Sequence, residues 1–538
     1  AAKKAAKEAA EAEKKRKQEE LKAAAESKHK GPDVTLLDFE SHTFGNLFIQ
    51  SQCKTERKWS TVKDMTPELK DQNVWMRTRV HNSRKQGGKL CFLTLRKDLA
   101  TVQAVVFGAE MAGFAGALPD ESVVDVYGKV TLPKDPVTSC TQSEVEIAVE
   151  KLFCLARSQA LPLQLADAGR PEPDYEKDPN LVKPGQDTCL NNRVIDLRTH
   201  ANQGILRIQS GVGMLFREFL SGQGFVEIHT PKMISAASEG GADVFRVDYF
   251  EGNAYLAQSP QLYKQAALMT DLPKVFEVGP IFRSERSFTH RHMTEFTGLD
   301  MEMTFMEHYG EVLDVLDGMF NHIFTGLNKH FKSEIEAVRR QYPFEDLKWK
   351  HPCLRLTFKD AIALMKEKGP PILKARIAAT SDAYTKGLIE KHLESVLAHD
   401  PLDDVGTEDE KLLGKIIHEE FGEDFYIIDK FPKAVRPFYT MPDPNDPTVA
   451  NAYDFFLRGE EITSGAQRIH DPKMLWEKAA EIGVDLSPIQ WYVDAFKYGA
   501  FPHAGAGIGL ERVVMLFMAL HNIRKSSMFP RDPKRLTP

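Results

Sequence analysis

Along residues 74–81 apolar and polar side chains alternate. Val74, Met76, Thr78 and Val80 fall on one face of an extended chain, and Trp75, Arg77, Arg79 and His81 on the other. A period of two marks a strand with one covered face. Gly87-Gly88 turns the chain into a second such run, Leu90–Arg96, and more follow at Thr101–Phe107, Val123–Val130 and Val145–Leu152. Past residue 196 the period changes. Ile205, Ile208, Val212, Leu215, Phe216 and Phe219 recur at helical spacing, Gly222 and Gly224 close that helix, and Phe225–Thr230 extends to Pro231. Such a helix serves as core or as the seam of a dimer, and the pattern leaves both open. Leu510, Val513, Val514 and Phe517 mark another helix face, behind a glycine-rich strand. Residues 310–435 are mainly helical in pattern and carry no recognisable chemistry.

Short strands at this spacing predict a small Greek-key barrel of the OB type over 71–158. In its second strand Cys91, Leu93 and Leu95 point inward and Phe92, Thr94 and Arg96 outward. In the next, Val102, Ala104 and Val106 point inward and Gln103 outward. An outward aromatic beside basic and amide groups is what a stacking platform for unpaired bases requires. The alternative is that Phe92 packs under a loop or against a second domain. Before the barrel, residues 1–32 form a basic helical extension: nearly all Ala, Lys, Glu, Gln and Arg, ended by Gly31-Pro32, with no apolar stripe to join a core. It reads equally as a solvated spacer or as an arm for RNA phosphates. Residues 33–70 lack periodicity and read as a linker, and the proline-rich stretch 159–195 as a hinge. A mixed α+β region fills 196–538.

The 538 residues argue for several domains. No apolar run approaches the roughly 18–20 residues of a membrane span. The chain begins Ala1-Ala2-Lys3-Lys4 without a signal-like apolar core, so nothing supports a removed leader. Six cysteines, none in a Cys-x-x-Cys pair, fit reduced thiols of the cytosol better than a zinc ribbon or a disulfide framework. A net charge of −7 leaves nucleic-acid binding open, since local basic patches set that affinity.

Three blocks carry the candidate chemistry. The first is the helix and strand ending at Pro231. The second is Phe282-Arg283-Ser284-Glu285, a loop, then Arg291-His292-Met293-Thr294-Glu295-Phe296. Arginine grips phosphate oxygens with a planar fork that lysine cannot copy. The third is Gly505-Ala506-Gly507-Ile508-Gly509-Leu510-Glu511-Arg512, whose glycines leave a strand bare enough for a flat base. Neither a Walker P-loop nor a Gly-x-Gly-x-x-Gly unit is present. Each block alone is weak. Together and in this order they resemble motifs 1, 2 and 3 of class II aminoacyl-tRNA synthetases, over about residue 70 to the end. The His-Ile-Gly-His signature of the other class is absent. A barrel before such a core resembles subclass b, which serves aspartate, asparagine and lysine.

Short strings narrow the resemblance to the aspartate-specific group of eukaryotic cytosolic type. They are Gln258-Ser259-Pro260-Gln261-Leu262-Tyr263-Lys264-Gln265, Thr297-Gly298-Leu299-Asp300-Met301-Glu302 and Ser464-Gly465-Ala466-Gln467-Arg468. In asparagine enzymes the position of Lys264 is not lysine, and Glu replaces Asp300. The resemblance implies an antiparallel catalytic sheet binding bent ATP, with Mg2+, L-aspartate and tRNA(Asp) as further partners, in a cytoplasmic homodimer with no membrane contact. Lys264 and Arg468 would meet the substrate's side-chain carboxylate and Asp300 its ammonium. Ser238 and Glu239, in a glycine-hinged loop, would close over it, with Gln261 and Ser464 beside them. Arg283 would grip the α-phosphate, Arg512 the γ-phosphate and His292 the phosphate tail. Phe296 would stack on adenine, with Met293 and Glu285 in the ATP site and Glu285 also near the RNA's terminal adenosine. Asp454 and Glu461 match the magnesium-binding acids, on neighbouring strands if Leu457-Arg458-Gly459 turns the chain. Arg84, Phe92, Gln103 and Glu146 match anticodon-reading positions, and Pro231 the dimer interface. Ala506 interrupts the glycine run, and Arg286-Ser287-Phe288 is less polar than the family's loop. The expected reaction is in-line attack of the aspartate α-carboxylate on the α-phosphorus of ATP, then transfer to the terminal ribose 3′ hydroxyl. Rival readings are an asparagine enzyme, a non-catalytic RNA-binding paralogue and a free amidating enzyme.

Overall fold

Among the described residues, 30–235 and 244–538 of this computed structural model, the chain divides into two units that part between Gln164 and Leu165. The expected helix over 1–30 lies outside the described residues save for Lys30, and so do Ser238 and Glu239.

In the first unit the alternating runs become β3 (Asn73–Lys85), β4 (Leu90–Lys97), β5 (Ala100–Phe107), β6 (Val123–Thr131) and β7 (Glu146–Ala156). β3 pairs with β4 and β6, β5 with β4 and β7, and β6 with β7, so the ring closes. Closure removes free sheet edges. Met76, Val80, Leu93, Leu95, Val102, Ala104, Val106, Val126 and Ile147 fill it, each with essentially no exposed surface.

The stretch 33–70, expected as a linker, is instead packed structure. β1 (Asp33–Thr35) pairs with β2 (Phe44–Phe48), and β2 with β7. Val34, Leu36, Phe39 and Leu47 form a second small core with Trp75 and Phe153, while Val62 and Met65 join the barrel's own core. These apolar residues lack a period because they divide between two different cores. Trp75 accordingly lies on the outer face, as its phase requires, yet is buried there. Arg96, expected outward, is also buried, its guanidinium 2.6 Å from the Glu121 carboxylate.

The second unit is built on an eight-stranded sheet. Its strands are β8 (Val226–Glu227), β12 (Lys274–Phe282), β13 (Glu295–Thr304), β14 (Leu354–Thr357), β15 (Phe425–Asp429), β16 (Ala452–Leu457), β17 (Glu460–Gln467) and β18 (His503–Gly509). A separate small sheet takes β9 (Met233–Ile234), β10 (Arg246–Tyr249) and β11 (Gly252–Leu256). The large sheet runs β14-β15-β16-β17-β18-β13-β12-β8, antiparallel throughout except at its two edge pairs. The helix His200–Gly222 starts on a Thr199 side chain that accepts from the Asn202 amide. It buries Ile205, Ile208, Val212, Leu215 and Phe216 in the main core, with the helices Gly310–His330 and Leu510–Phe517. The apolar stripe is therefore core. Helices Phe358–Ala379, Ala383–Ala398 and Thr407–Phe421 form another cluster over Tyr426, Ile428 and Phe456 of β15 and β16.

Candidate active site

Strands β12, β13 and β18, with β17 beside them, floor a cleft of about 460 Å³. Register sets its residues. Phe296 lies opposite Ile281 and Asp300 opposite both Glu277 and Gly507, so the second and third sequence blocks meet across hydrogen-bonded strands. Of the three glycines in β18, Gly507 and Gly509 line the cleft. Gly505 serves otherwise: a Cβ there would stand 2.2 Å from a Glu302 carboxylate oxygen.

At one end the cations gather. Arg283, Arg291, His292 and Arg512 all line the cleft. The Arg283 guanidinium lies 5.7 Å from the Phe296 ring centroid and 3.8 Å from Glu285. Arg512 Nη1 donates to the Glu461 carbonyl at 2.9 Å, and Arg291 is 2.6 Å from Glu410. Burial and the surrounding Arg512, Arg291 and Arg283 charges push His292 down to about 4, so its ring is neutral at pH 7. Its Nδ1 sits 2.6 Å from the Thr289 hydroxyl. Met293 is buried in the same wall.

At the other end is a buried charge cluster. Lys264 Nζ is 3.0 Å from Asp300 Oδ1 and 3.4 Å from Glu302 Oε2, and donates to the Ala506 carbonyl at 3.0 Å. Arg468 Nε donates to Glu302 at 2.9 Å, and Nη2 to Gln261 at 3.2 Å and the Gly505 carbonyl at 3.0 Å. Lys264, 1% exposed, lies behind the cleft wall with its N–H donors already engaged, because Asp300 and Glu302 project toward it from β13. Asp300, expected to meet an ammonium, has its charge matched by Lys264. Arg468 does border the cleft, and its Nη1 makes no hydrogen bond to any described residue. Burial raises Asp300; Glu302, equally buried, is held below the usual range by Arg468 and Lys264. Glu302 stood in the quoted string, but nothing in its spacing marked it as the shared partner of both cations.

Leu457, then Arg458 (φ 48°) and Gly459 (φ 76°), do turn the chain, leaving Asp454 on β16 and Glu461 on β17. Glu461 lines the cleft. Asp454 is held through both oxygens by Arg436, at 2.6 and 3.1 Å, a partner that sequence reasoning missed. Burial, with the Glu461 charge adding to it, pushes Asp454 up to about 6. No group of three or more His, Cys, Asp or Glu among the described residues could hold a metal. Two carboxylates fit Mg2+ only as part of a shell completed by phosphate and water oxygens, which is that ion's habit.

On the barrel the four expected residues are neighbours. Arg84 pairs in register with Phe92, and its guanidinium lies 5.1 Å from that ring. Gln103 pairs with Glu146 and donates to it at 3.0 Å. Phe92 is half-buried rather than covered. Pro231 is exposed in the second unit, close in sequence to the exposed Val226 and Met233.

An antiparallel sheet with an arginine-lined cleft, in a chain that also carries an OB barrel, defines a class II tRNA synthetase. Residues 185–533 match the family described as tRNA synthetases class II (D, K and N), and residues 74–155 the OB-fold nucleic acid binding domain. The chain is 50% identical to the human cytoplasmic aspartate-tRNA ligase over 93% of its own length and 96% of that protein's. It is 49% identical to cytoplasmic aspartate-tRNA ligase 1 of Dictyostelium discoideum, over 91% and 87%. A putative aspartyl-tRNA synthetase from Leishmania major aligns with TM-score 0.82 and 42% identity, covering 94% of this chain and 99% of that one. An asparaginyl-tRNA synthetase from Pyrococcus horikoshii aligns less well, with TM-score 0.72 and 29% identity over 90% and 100%. The chain belongs to the aspartate-tRNA ligase family.

Proposed function

We propose that the protein joins L-aspartate to the 3′ end of tRNA(Asp) through an aspartyl-adenylate, releasing AMP and pyrophosphate. The observation that carries the aspartate reading is Arg468: a buried guanidinium backed by Glu302, with one terminal nitrogen left to the cleft. A side-chain carboxylate completes it, whereas a neutral amide leaves a cation poorly matched. Lys264, paired with Asp300, adds its positive charge to the same end of the cleft. Gln261 and Ser464 border the same end, and Ser238 and Glu239 are assigned to the closing loop.

ATP lies across β18 with adenine on Phe296, beside Met293 and Glu285. Arg283 takes the α-phosphate and Arg512 the γ-phosphate. Neutral His292 offers hydrogen bonds to the phosphate tail without adding charge. Asp454 and Glu461 would hold Mg2+, which supplies charge neutralisation on the phosphates. The attack of the α-carboxylate on the α-phosphorus needs positioning and fixed charge more than a protein nucleophile, and the cleft offers cations for that. On the barrel, Arg84, Phe92, Gln103 and Glu146 form a contiguous surface for anticodon bases.

We assign the extension to 1–32 and the anticodon barrel to 71–158 as first read, with 33–70 packed on the barrel, and begin the catalytic unit at Leu165, so that the expected hinge 159–195 narrows to 159–164. Exposed Met214, with exposed Val226 and Met233 close in sequence to Pro231, supports a homodimer. No helix among the described residues is long and apolar enough to cross a membrane. The relatives' names place this activity in the cytoplasm. Charging of tRNA(Asp) and tRNA(Asn) transcripts with radiolabelled aspartate tests the reading: acid-precipitable label on the first is expected, and label on neither refutes it.

A further inference from the structure

The helix Thr407–Phe421 lies in the stretch without recognisable chemistry, yet one of its side chains meets the catalytic cleft. Its first turn holds three acids. Glu408 is exposed beside Lys411, and Asp409 pairs with His392 at 2.8 Å. Glu410 pairs instead with a residue of the cleft: its buried carboxylate accepts from Arg291 Nη1 at 2.6 Å. Glycines permit the approach. A Cβ on Gly414, one turn further along the helix, would stand 2.3 Å from the Cα of Gly459 in the β16–β17 turn. The helix lies against that turn because neither position carries a side chain. Glu461, which lines the cleft, follows Gly459 by two residues.

Arg291 lines the cationic end of the cleft with Arg283, His292 and Arg512. Its neighbour in the loop is held by other groups: the His290 ring is 3.0 Å from Glu460, and the His290 carbonyl accepts from the Ile523 amide at 2.8 Å. The Arg291 guanidinium has one hydrogen-bond partner among the described residues, Glu410. The Arg291 carbonyl in turn accepts from Arg512 Nη2 at 3.5 Å, while Arg512 Nη1 donates to the Glu461 carbonyl. A chain of contacts therefore runs from Glu410 through Arg291 to Arg512. Burial raises the Glu410 carboxyl, and the Arg291 charge is the main influence opposing it. A long side chain binds an anion more tightly when its rotamers are fixed beforehand, because the ordering entropy is not lost at the binding step.

We propose that Glu410 is a positioning residue for the triphosphate: it fixes the Arg291 guanidinium and, through the Arg291 carbonyl, the seat of Arg512. This rests on the reading that the cleft takes ATP, which wild-type pyrophosphate exchange with aspartate tests separately. The sign of the effect is diagnostic. If charge alone mattered, removing a carboxylate from beside the phosphates would strengthen their binding. Loss of the tie to Arg291 weakens it. The test is isothermal titration of the full chain, without aspartate, by AMP-PNP with Mg2+ and by AMP, which lacks the two outer phosphates. Glu410→Gln should weaken AMP-PNP about tenfold, the scale of one charge-assisted hydrogen bond, and leave AMP within about twofold. Arg291→Gln should give the same pattern, and adding Glu410→Gln to it should cost nothing further, which a merely structural role for Glu410 does not predict. Where Glu410→Gln does not fold, Glu410→Asp takes its place, since it keeps the charge but falls one methylene short of Arg291. The proposal is overturned if the Glu410 variant binds AMP-PNP as tightly as wild type or more tightly, if AMP is weakened as much as AMP-PNP, or if the two substitutions act additively.

Discussion

Replacing Lys264 by Met keeps the length of the side chain and deletes one buried positive charge. A unit charge about 5–7 Å away, at an effective dielectric constant near 20, is worth about 2–3 kcal/mol to a carboxylate in the cleft. That predicts a loss of about 30–150-fold in kcat/KM for aspartate, with little change in ATP affinity. The cluster itself modifies this figure. Asp300 is already raised by burial, and Lys264 is the main influence holding it down. Without the lysine, Asp300 climbs further, and the proton it takes up as pH falls cancels part of the lost charge. The defect should therefore ease as pH falls and grow as pH rises. The same linkage makes the variant's stability fall as pH rises, since the folded state now binds the extra proton. Pyrophosphate exchange at several pH values, with thermal melts alongside, measures both. A defect equal at all pH values, or a loss of ATP affinity matching that for aspartate, would refute the reasoning.

Three further outcomes follow from the geometry. Phe92→Ala should raise KM for tRNA by about tenfold or more, since base stacking contributes about 1–3 kcal/mol, while leaving tRNA-independent pyrophosphate exchange unchanged. Arg512→Gln should lower exchange by about 10²–10³-fold at saturating ATP, as expected for removing a charge that meets the phosphates in the transition state. His503, fully buried and pushed down to about 4 by burial, contributes stability that is complete above its unfolded value near 6.5 and is lost as pH falls toward 4. His503→Gln should flatten that slope, by about 2–3 kcal/mol in urea unfolding between pH 7 and 4.

How far the chain announces this arrangement depends on the kind of pattern. Val74 to Val80 and Cys91 to Leu95 were legible because a barrel has one interior and period two addresses it directly. Phe282–Phe296 and Gly505–Arg512 were legible as adjacent strands with cations at their ends, because their order and composition match a family pattern. The segment 33–70 was not, since residues such as Phe39 and Val62 reach different cores and share no period. Charge pairing across the sheet was hidden for a similar reason. Glu302 meets Arg468, Arg436 meets Asp454 and Arg291 meets Glu410, pairs that only the fold brings together. Lys264 and Asp300 likewise pair with each other, a contact that lies alongside the ligand roles expected of them.

The central claim is that the cleft activates aspartate. ATP–pyrophosphate exchange by the purified full chain, run in parallel with aspartate, asparagine and lysine, tests it most directly. The account predicts rapid exchange with aspartate and at least 10²-fold slower exchange with the other two, the discrimination a buried unpaired charge can enforce. Exchange driven equally well by asparagine would contradict it.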